Sequence, residues 1–291
     1  MPLYSRCTWC PIKRKTMYLL TGKPEDSAYK EVRGLSRGLA VLRALNGMPG
    51  GMGGVVELAR LTGLHRTTVK RLLETLRQEG LVHHKDDGAL YVLSFEVRRL
   101  AEGYVGADWI DRVASPAMAA HLSALSWPSD LATPDGGFMI VRESTHRASL
   151  LSQHRATIGT RIAMLTSAIG RAWLAYCSDE EREATLSLLR ERGDAIGAVA
   201  RDKAYVGRVL RETRRRGYAV NKGELVNEES VAAIAFPVRL SGHAIGAINL
   251  VLQRNVVPDR EISSRYVPLL RILAEEISVG ATRLSQRGDP S

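Results

Sequence analysis

Cysteine is scarce: three in 291 residues exclude a disulfide framework and fit a reducing compartment. Cys7 and Cys10 have CxxC spacing, but no second CxxC or spaced histidine pair completes a zinc site. Cys177 lies in an apolar helical stretch and reads as a core residue. No apolar run approaches the ~20 residues of a membrane helix. Met17 to Leu20, after Lys13-Arg14-Lys15, is too short for a signal peptide. Gly-x-Ser-x-Gly, His-Glu-x-x-His and a complete nucleotide fingerprint are all missing, and with them the usual marks of an enzyme or a cofactor site. Residues 1–30 are expected to be a disordered tail, and Met17 is an equally good start.

What the chain has is positive charge, unevenly spread. Lys and Arg number 41 against 31 Asp and Glu, a formal +10. Before Gly106 there are 17 basic against 10 acidic residues. The excess therefore sits in the N-terminal third, where it would attract a phosphate backbone.

That third reads as three helices and a hairpin. Leu35, Leu39, Leu42 and Leu45 recur at helical spacing, with Ser36 as a candidate cap, until Asn46-Gly47 ends the helix. Gly47 to Gly54 reads as a flexible turn. A second helix runs from Val55 to Leu61 and stops at Thr62-Gly63; a third covers Leu64 to Gln78. On the third, Val69, Leu72, Leu73 and Leu76 share one face, and Thr67, Lys70, Arg71 and Glu74 point the opposite way. Two helices joined at a glycine form a helix-turn-helix signature, although an ordinary helical hairpin with a solvated face matches it equally. Two β-prone runs flanking Lys85-Asp86-Asp87-Gly88 add a hairpin. Helix, helix-turn-helix and hairpin is the order of a winged helix. His83 and His84 read as wing surface.

The runs Val32 to Leu39 and Leu58 to Leu76 resemble the IclR (isocitrate lyase regulator) family. Within it, the likeness is greatest to regulators of 3-(3-hydroxyphenyl)propionate degradation, and continues through Trp127-Pro128-Ser129-Asp130 and Val141 to Arg147. It covers about residues 31–285. The resemblance implies a cytoplasmic regulator that binds a double-stranded DNA operator as a homodimer or dimer of dimers. It makes Leu64–Gln78 the recognition helix, whose N-terminal residues would meet base edges in the major groove. His65, Arg66, Thr67, Thr68 and Arg71 are the candidate readers, since arginine suits guanine and a threonine methyl suits thymine. Lys70, Arg37 and Lys85 are candidate phosphate contacts. Residues 31–94 are the expected DNA-binding domain and 95–107 a linker helix, with Val97, Leu100, Ala101 and Tyr104 on one side and Asp108 a candidate cap for the next helix.

Residues 108–286 alternate helical and β patterns, which suggests an α+β effector-binding and oligomerisation domain with an antiparallel sheet. Strands are expected at Phe138–Arg142, Leu150–His154, Tyr218–Asn221, Val231–Arg239 and Ala244–Leu252. Helices are expected at Ser167–Tyr176, Asp179–Glu191, Lys203–Arg216 and Glu261–Leu284. Asn249 stands inside an apolar strand, where its amide needs a partner, either a ligand or neighbouring backbone. The resemblance implies a GAF/profilin-like fold, puts Asn249 in an effector site, and makes Thr166, Ser167 and Ala168 the helix start that receives a carboxylate. A helix N-terminus favours an anion. Where the family often has cysteine, this chain has Ala233, which leaves room for a ring. The implied effector is a small aromatic carboxylic acid: a hydroxyphenylpropionate first, a phthalate- or benzoate-type acid second. An IclR-type protein with no small-molecule effector is the remaining alternative. Arg142, His146, His154 and Arg155 are candidate charges near the pocket, each weighed against a reading as a surface or strand-edge residue, which is the commoner place for such residues.

Overall fold

The computed structural model describes residues 31–85, 88–100, 109–152, 158–222 and 231–287. The tail with Cys7 and Cys10, residues 101–108 with the Asp108 cap, and the pair Asp86-Asp87 lie outside the described residues. The chain is α+β, with two groups of elements along it.

In the first, α1 (Arg33–Asn46), α2 (Val55–Thr62) and α3 (Arg66–Gln78) enclose a core with a small antiparallel sheet of β1 (Met52–Gly53), β2 (Val82–His84) and β3 (Tyr91–Leu93), in the order β1-β3-β2. Val41, Leu45, Leu58, Val69, Leu73, Val82 and Tyr91 fill that core. The stripe expected on α1 is shifted. Leu35 and Leu39 are exposed, and Val41 and Leu45 carry the burial. Ser36 caps nothing, because α1 begins three residues earlier, after Val32. The segment expected as a flexible turn contains β1, whose Met52 and Gly53 pair with Val92 and Tyr91.

Gly63 ends α2 in the left-handed conformation, φ 71°, which costs glycine little. Its N–H donates to the Ala59 carbonyl at 3.0 Å. His65 then caps α3, its Nδ1 accepting from the Thr67 N–H. The hairpin is fastened to α3 by Glu74. Its carboxylate accepts from the Tyr91 hydroxyl at 2.5 Å and from Arg77 Nε at 2.9 Å, and lies 3.3 Å from His84 Nε2. Glu74 therefore reaches the hairpin while still bordering the face that carries Thr67, Lys70 and Arg71. The Tyr91 and Arg77 hydrogen bonds hold its carboxyl down at about 2, from an ordinary 4.5.

After α4 (Glu96–Arg99), the larger group builds on a six-stranded antiparallel sheet. Its strands are β4 (Ser129–Asp135), β5 (Phe138–Ser144), β6 (Arg161–Ala163), β7 (Ala219–Lys222), β8 (Val231–Leu240) and β9 (His243–Gln253), ordered β6-β5-β4-β9-β8-β7. The helices are α5 (Ser115–Leu125), α6 (Ala168–Tyr176), α7 (Asp179–Arg190), α8 (Ala195–Arg201), α9 (Lys203–Arg216), the single turn α10 (Asp259–Glu261) and α11 (Val267–Arg287). Strand alternation divides the residues between two cores. Ile234, Phe236, Ile248, Leu250 and Leu252 pack with α5 and α11, while Ala233, Ala235 and Ala247 pack under α6. The alanines on that face let α6 lie close to the sheet. At Gly170 the approach is closest: a Cβ there would stand 2.3 Å from the Met164 carbonyl oxygen.

Strands at residues 138, 218 and 231 and helices at 167, 179 and 203 occur near their expected positions. Leu150–His154 does not begin as a strand: Leu150 and Leu151 form an exposed turn, and 153–157 lie outside the described residues. The helix expected from Glu261 is interrupted by a π-turn at Ile262–Tyr266 before α11 starts.

Two outcomes follow. Since the carboxyl of Glu74 has a lower pKa folded than unfolded, its stabilisation is present above about pH 4.5 and lost as pH falls toward about 2. Glu74→Gln should flatten that acid limb in thermal melts of the full chain, and identical limbs would show that the carboxylate does not fasten the hairpin. Gly170→Ala should lower the urea midpoint by the equivalent of about 1–3 kcal/mol through overpacking, whereas an unchanged midpoint would contradict the close approach.

Candidate functional site

The apolar face of α3 is locked inward by Val69 and Leu73, both fully buried. At 100° per residue the opposite face must look outward. Thr67, Lys70 and Arg71 are exposed there. With Arg37 of α1 and Thr68 they line one open groove of about 610 Å³. The Thr67 hydroxyl sits 2.8 Å from His65 Nδ1, so cap and candidate reader are coupled at the helix start. Arg66 is exposed on the first turn, and Lys85 is exposed where β2 leaves the sheet. Neither lines the groove. The hairpin closes with the Lys85 N–H donating to Leu90 O at 2.9 Å. His83 is exposed, but the His84 ring leans on Tyr91 with centroids 4.4 Å apart.

A second convergence lies at the α6 N-terminus. Ser167 caps the helix, its hydroxyl accepting from the Gly170 N–H at 3.1 Å and donating to Ala163 O at 2.6 Å. The hydroxyl is thus occupied by the fold, and what a ligand would meet is the helix start itself, whose first N–H groups have no partner within the helix. Thr166 is half-buried and Ala168 buried. The Thr166 carbonyl accepts from Asn221 Nδ2 at 2.5 Å, and Asn221 pairs with Ala233 across β7 and β8. Thr166, Ser167, Ala168 and Ala233 therefore gather at one end of the sheet. Asn249 stands on the same face, two residues beyond Ala247 on β9. Its Oδ1 accepts from the Asp130 N–H at 2.8 Å, so neighbouring backbone satisfies that oxygen.

Arg171 stiffens the region. Nearly fully buried, it donates to Leu165 O, Val220 O and the Tyr205 hydroxyl, each at 2.8 Å. Burial lowers its pKa. Cys177 closes α6, and burial pushes its thiol up to about 11, the opposite of an activated nucleophile. Among the described residues no group of three or more His, Cys, Asp or Glu is placed to hold a metal, and no helix is long and apolar enough to cross a membrane.

Of the charged residues expected at a surface, Arg142 is half-buried and donates through Nε to the Thr133 hydroxyl at 2.8 Å. His146 is not at the surface: it is 5% exposed, in the turn after β5, with Ser152 2.7 Å from its Nδ1 and Asp130 3.5 Å from its Nε2. His154 and Arg155 lie outside the described residues. Sequence reasoning missed the bonds made by Asn221 and Asp130, and put Glu74 on the outward face without its partner Tyr91. Asn221 is a polar residue beside an apolar run, the signal that singled out Asn249.

Comparison with known proteins agrees with this geometry. Residues 34–86 match the IclR helix-turn-helix domain, and residues 104–279 match the bacterial transcriptional regulator IclR C-terminal domain. The chain is 27% identical over 270 residues to the glycerol operon regulatory protein of Streptomyces coelicolor, covering 87% of this chain and 99% of that protein. It is 24% identical over 256 residues to the p-hydroxybenzoate hydroxylase transcriptional activator of Acinetobacter baylyi, covering 84% and 90%. Among solved structures, an IclR homologue from Microbacterium hydrocarbonoxydans complexed with 4-hydroxybenzoate superposes with a TM-score of 0.57 at 23% identity, covering 86% and 99%. These relatives are regulators rather than enzymes. With both family models matched across most of its length, the chain belongs to the IclR family of DNA-binding transcriptional regulators.

Proposed function

We propose that this regulator controls its operator in response to a small aromatic carboxylic acid, a hydroxyphenylpropionate first among them, as in the regulators of 3-(3-hydroxyphenyl)propionate degradation. The observation that carries the DNA half is the exposed basic face of α3 behind a locked apolar face. In this reading Arg66 and Arg71 contact guanine edges, His65, Thr67 and Thr68 complete the base contacts, and Lys70, Arg37 and Lys85 hold phosphates. Residues 31–94 act as the DNA-binding domain, 95–107 as the linker, and 108–286 as the effector and oligomerisation domain, in a cytoplasmic protein.

Specific operator binding by so small a reading head requires a second protomer. Val32, Leu35 and Leu39 leave an apolar stripe exposed on α1, with Phe95 and Leu100 exposed near α4. These support a homodimer, or a dimer of dimers, paired through its DNA-binding ends.

The effector half rests on the α6 N-terminus, which suits a carboxylate, and on the small Ala233 beside it. A relative named as the transcriptional activator of p-hydroxybenzoate hydroxylase, and a protein of the same fold holding 4-hydroxybenzoate, favour an aromatic acid over a smaller one. The ligand acts through its different affinity for two arrangements of the DNA-binding ends.

Two measurements test the halves separately. On an operator selected from random DNA by the wild-type protein, the triple variant Thr67→Ala, Lys70→Ala, Arg71→Ala should lose specific binding while remaining folded. Lys70→Ala alone should reduce the log–log salt slope by about 1. Unchanged affinity in the triple variant would remove α3 from the interface. Calorimetric titration of the full chain with hydroxyphenylpropionates, phthalate and benzoates should show binding of at least one, and no heat and no thermal shift with any would favour a regulator insensitive to small molecules.

A further inference from the structure

Far along the chain from α3, positive charge gathers a second time. Residues from Gly106 onward include 24 basic and 21 acidic side chains, and 8 of the basic but only 2 of the acidic fall within residues 201–222. Without that segment the rest of this part is net negative. Most of the segment is α9, whose inward face is fixed by Val206, Leu210 and Thr213, all buried. At 100° per residue the opposite face carries Arg208, Arg211 and Arg215, and all three are exposed. At 1.5 Å per residue, the outer two stand about 10 Å apart along the helix.

This ridge ends in a groove of about 410 Å³. Arg214, Arg215 and Arg216 line it from α9, Arg239 from β8 and Arg271 from α11, against one acidic residue, Glu275. The fold holds several of these cations in place. Arg214 Nε donates to Ala175 O at 2.9 Å, and the guanidinium groups of Arg239 and Arg271 lie 4.3 and 5.6 Å from the ring centres of Tyr176 and Phe236. Arg216 meets Glu212 at 3.6 Å, and it is the one arginine of ridge and groove with an ion pair among the described residues.

Basic residues in a last turn offset the negative end of a helix, which accounts for Arg214 to Arg216. It does not account for Arg208 and Arg211, in earlier turns, or for Arg239 and Arg271 on other elements. So many cations with so few counter-charges suit a polyanion. An acidic protein would ordinarily be anchored by apolar or aromatic side chains at the centre of the contact, and neither α9 nor β8 exposes a large hydrophobic residue. Duplex DNA needs no such anchor. Its interfaces are more polar and more positively charged than those between proteins, and arginines along one helix face neutralise its phosphates. About 10 Å of helix spans roughly three phosphates of one strand, at ~3.4 Å each.

We propose that α9 and the groove at its C-terminal end form a second DNA contact, on the effector-binding part of the chain, that grips the duplex backbone outside the half-sites. It reads no sequence, since arginines aimed at phosphates position a protein without specifying bases. It is independent of the effector and of the base contacts assigned to α3.

The test is the salt dependence of binding by the full chain to two DNAs: the selected operator alone, and the same operator flanked on each side by about 30 bp, three helical turns, of unrelated sequence. The wild type should show a steeper log–log slope on the flanked DNA. The variant Arg208→Gln, Arg211→Gln, Arg215→Gln, checked for folding by circular dichroism, should lose about 2.7 of that slope for each engaged protomer, at about 0.9 per phosphate. Its slope on the operator alone should stay at the wild-type value. Arg208→Gln and Arg215→Gln made singly should each remove about 0.9, which keeps the test decisive where the triple variant does not fold. Equal wild-type slopes on the two DNAs would overturn the proposal and leave the ridge to an acidic protein. So would a folded variant that keeps the full difference, or one that loses the same amount on both DNAs. None of these outcomes touches the reading of α3.

Discussion

The burial of one face of α3 is the constraint on which the regulator depends. Val69 and Leu73 reach no solvent, and Leu58, Val41 and Leu45 close around them. A helix held so firmly on one side has no freedom to choose what it shows on the other. Thr67, Lys70 and Arg71 are outward because the valine and leucines are inward. Glu74 completes the arrangement by fastening α3 to the hairpin through Tyr91. A rigid frame of this kind reduces the ordering that DNA binding would otherwise require.

The larger group of elements follows a related logic with a different residue. On the α6 side the sheet presents Ala233, Ala235 and Ala247, and the small side chains, with Gly170, bring a helix start down onto the strands. Arg171 pins that start to β7 and α9 by hydrogen bonds. The outcome is an N-terminus fixed above one end of a sheet whose neighbouring row carries Asn249, Asp130 and Ser144. Apolar packing on the far face, with Ile248, Leu250 and Leu252 against α11, holds the row in register. Polar groups are tolerated so deep in the fold where they satisfy one another, as Asn249 and Asp130 do.

How much of this was legible before the structure depended on whether a residue's neighbours lay close in sequence. The face of α3 and the hairpin after it were readable because helical spacing and a glycine-closed turn are local signals. The stripe on α1 was misplaced by its first turns: Leu35 and Leu39 have helical spacing, but no core lies beneath them. Leu150 and Leu151 read as strand for the same reason, their apolar character carrying no information about a partner strand. In β4, Pro134 and four polar residues hide a strand that exists because β5 and β9 pair with it on either side. The Asn249 amide was recognisable as needing a partner, whereas the identity of that partner, the Asp130 N–H, lies 119 residues away. The same distance effect concealed His146 and Glu74, whose roles come from groups brought to them by the fold.

The central claim is that α3 enters the major groove of the operator, and methylation interference tests it most directly. Dimethyl sulfate modifies guanine N7 in the major groove and adenine N3 in the minor groove, the two edges that distinguish the grooves. Interference at guanine N7 within each half-site, relieved by Arg71→Ala at one of those guanines, is the expected pattern. Interference confined to adenine N3, with every guanine N7 indifferent, would contradict it.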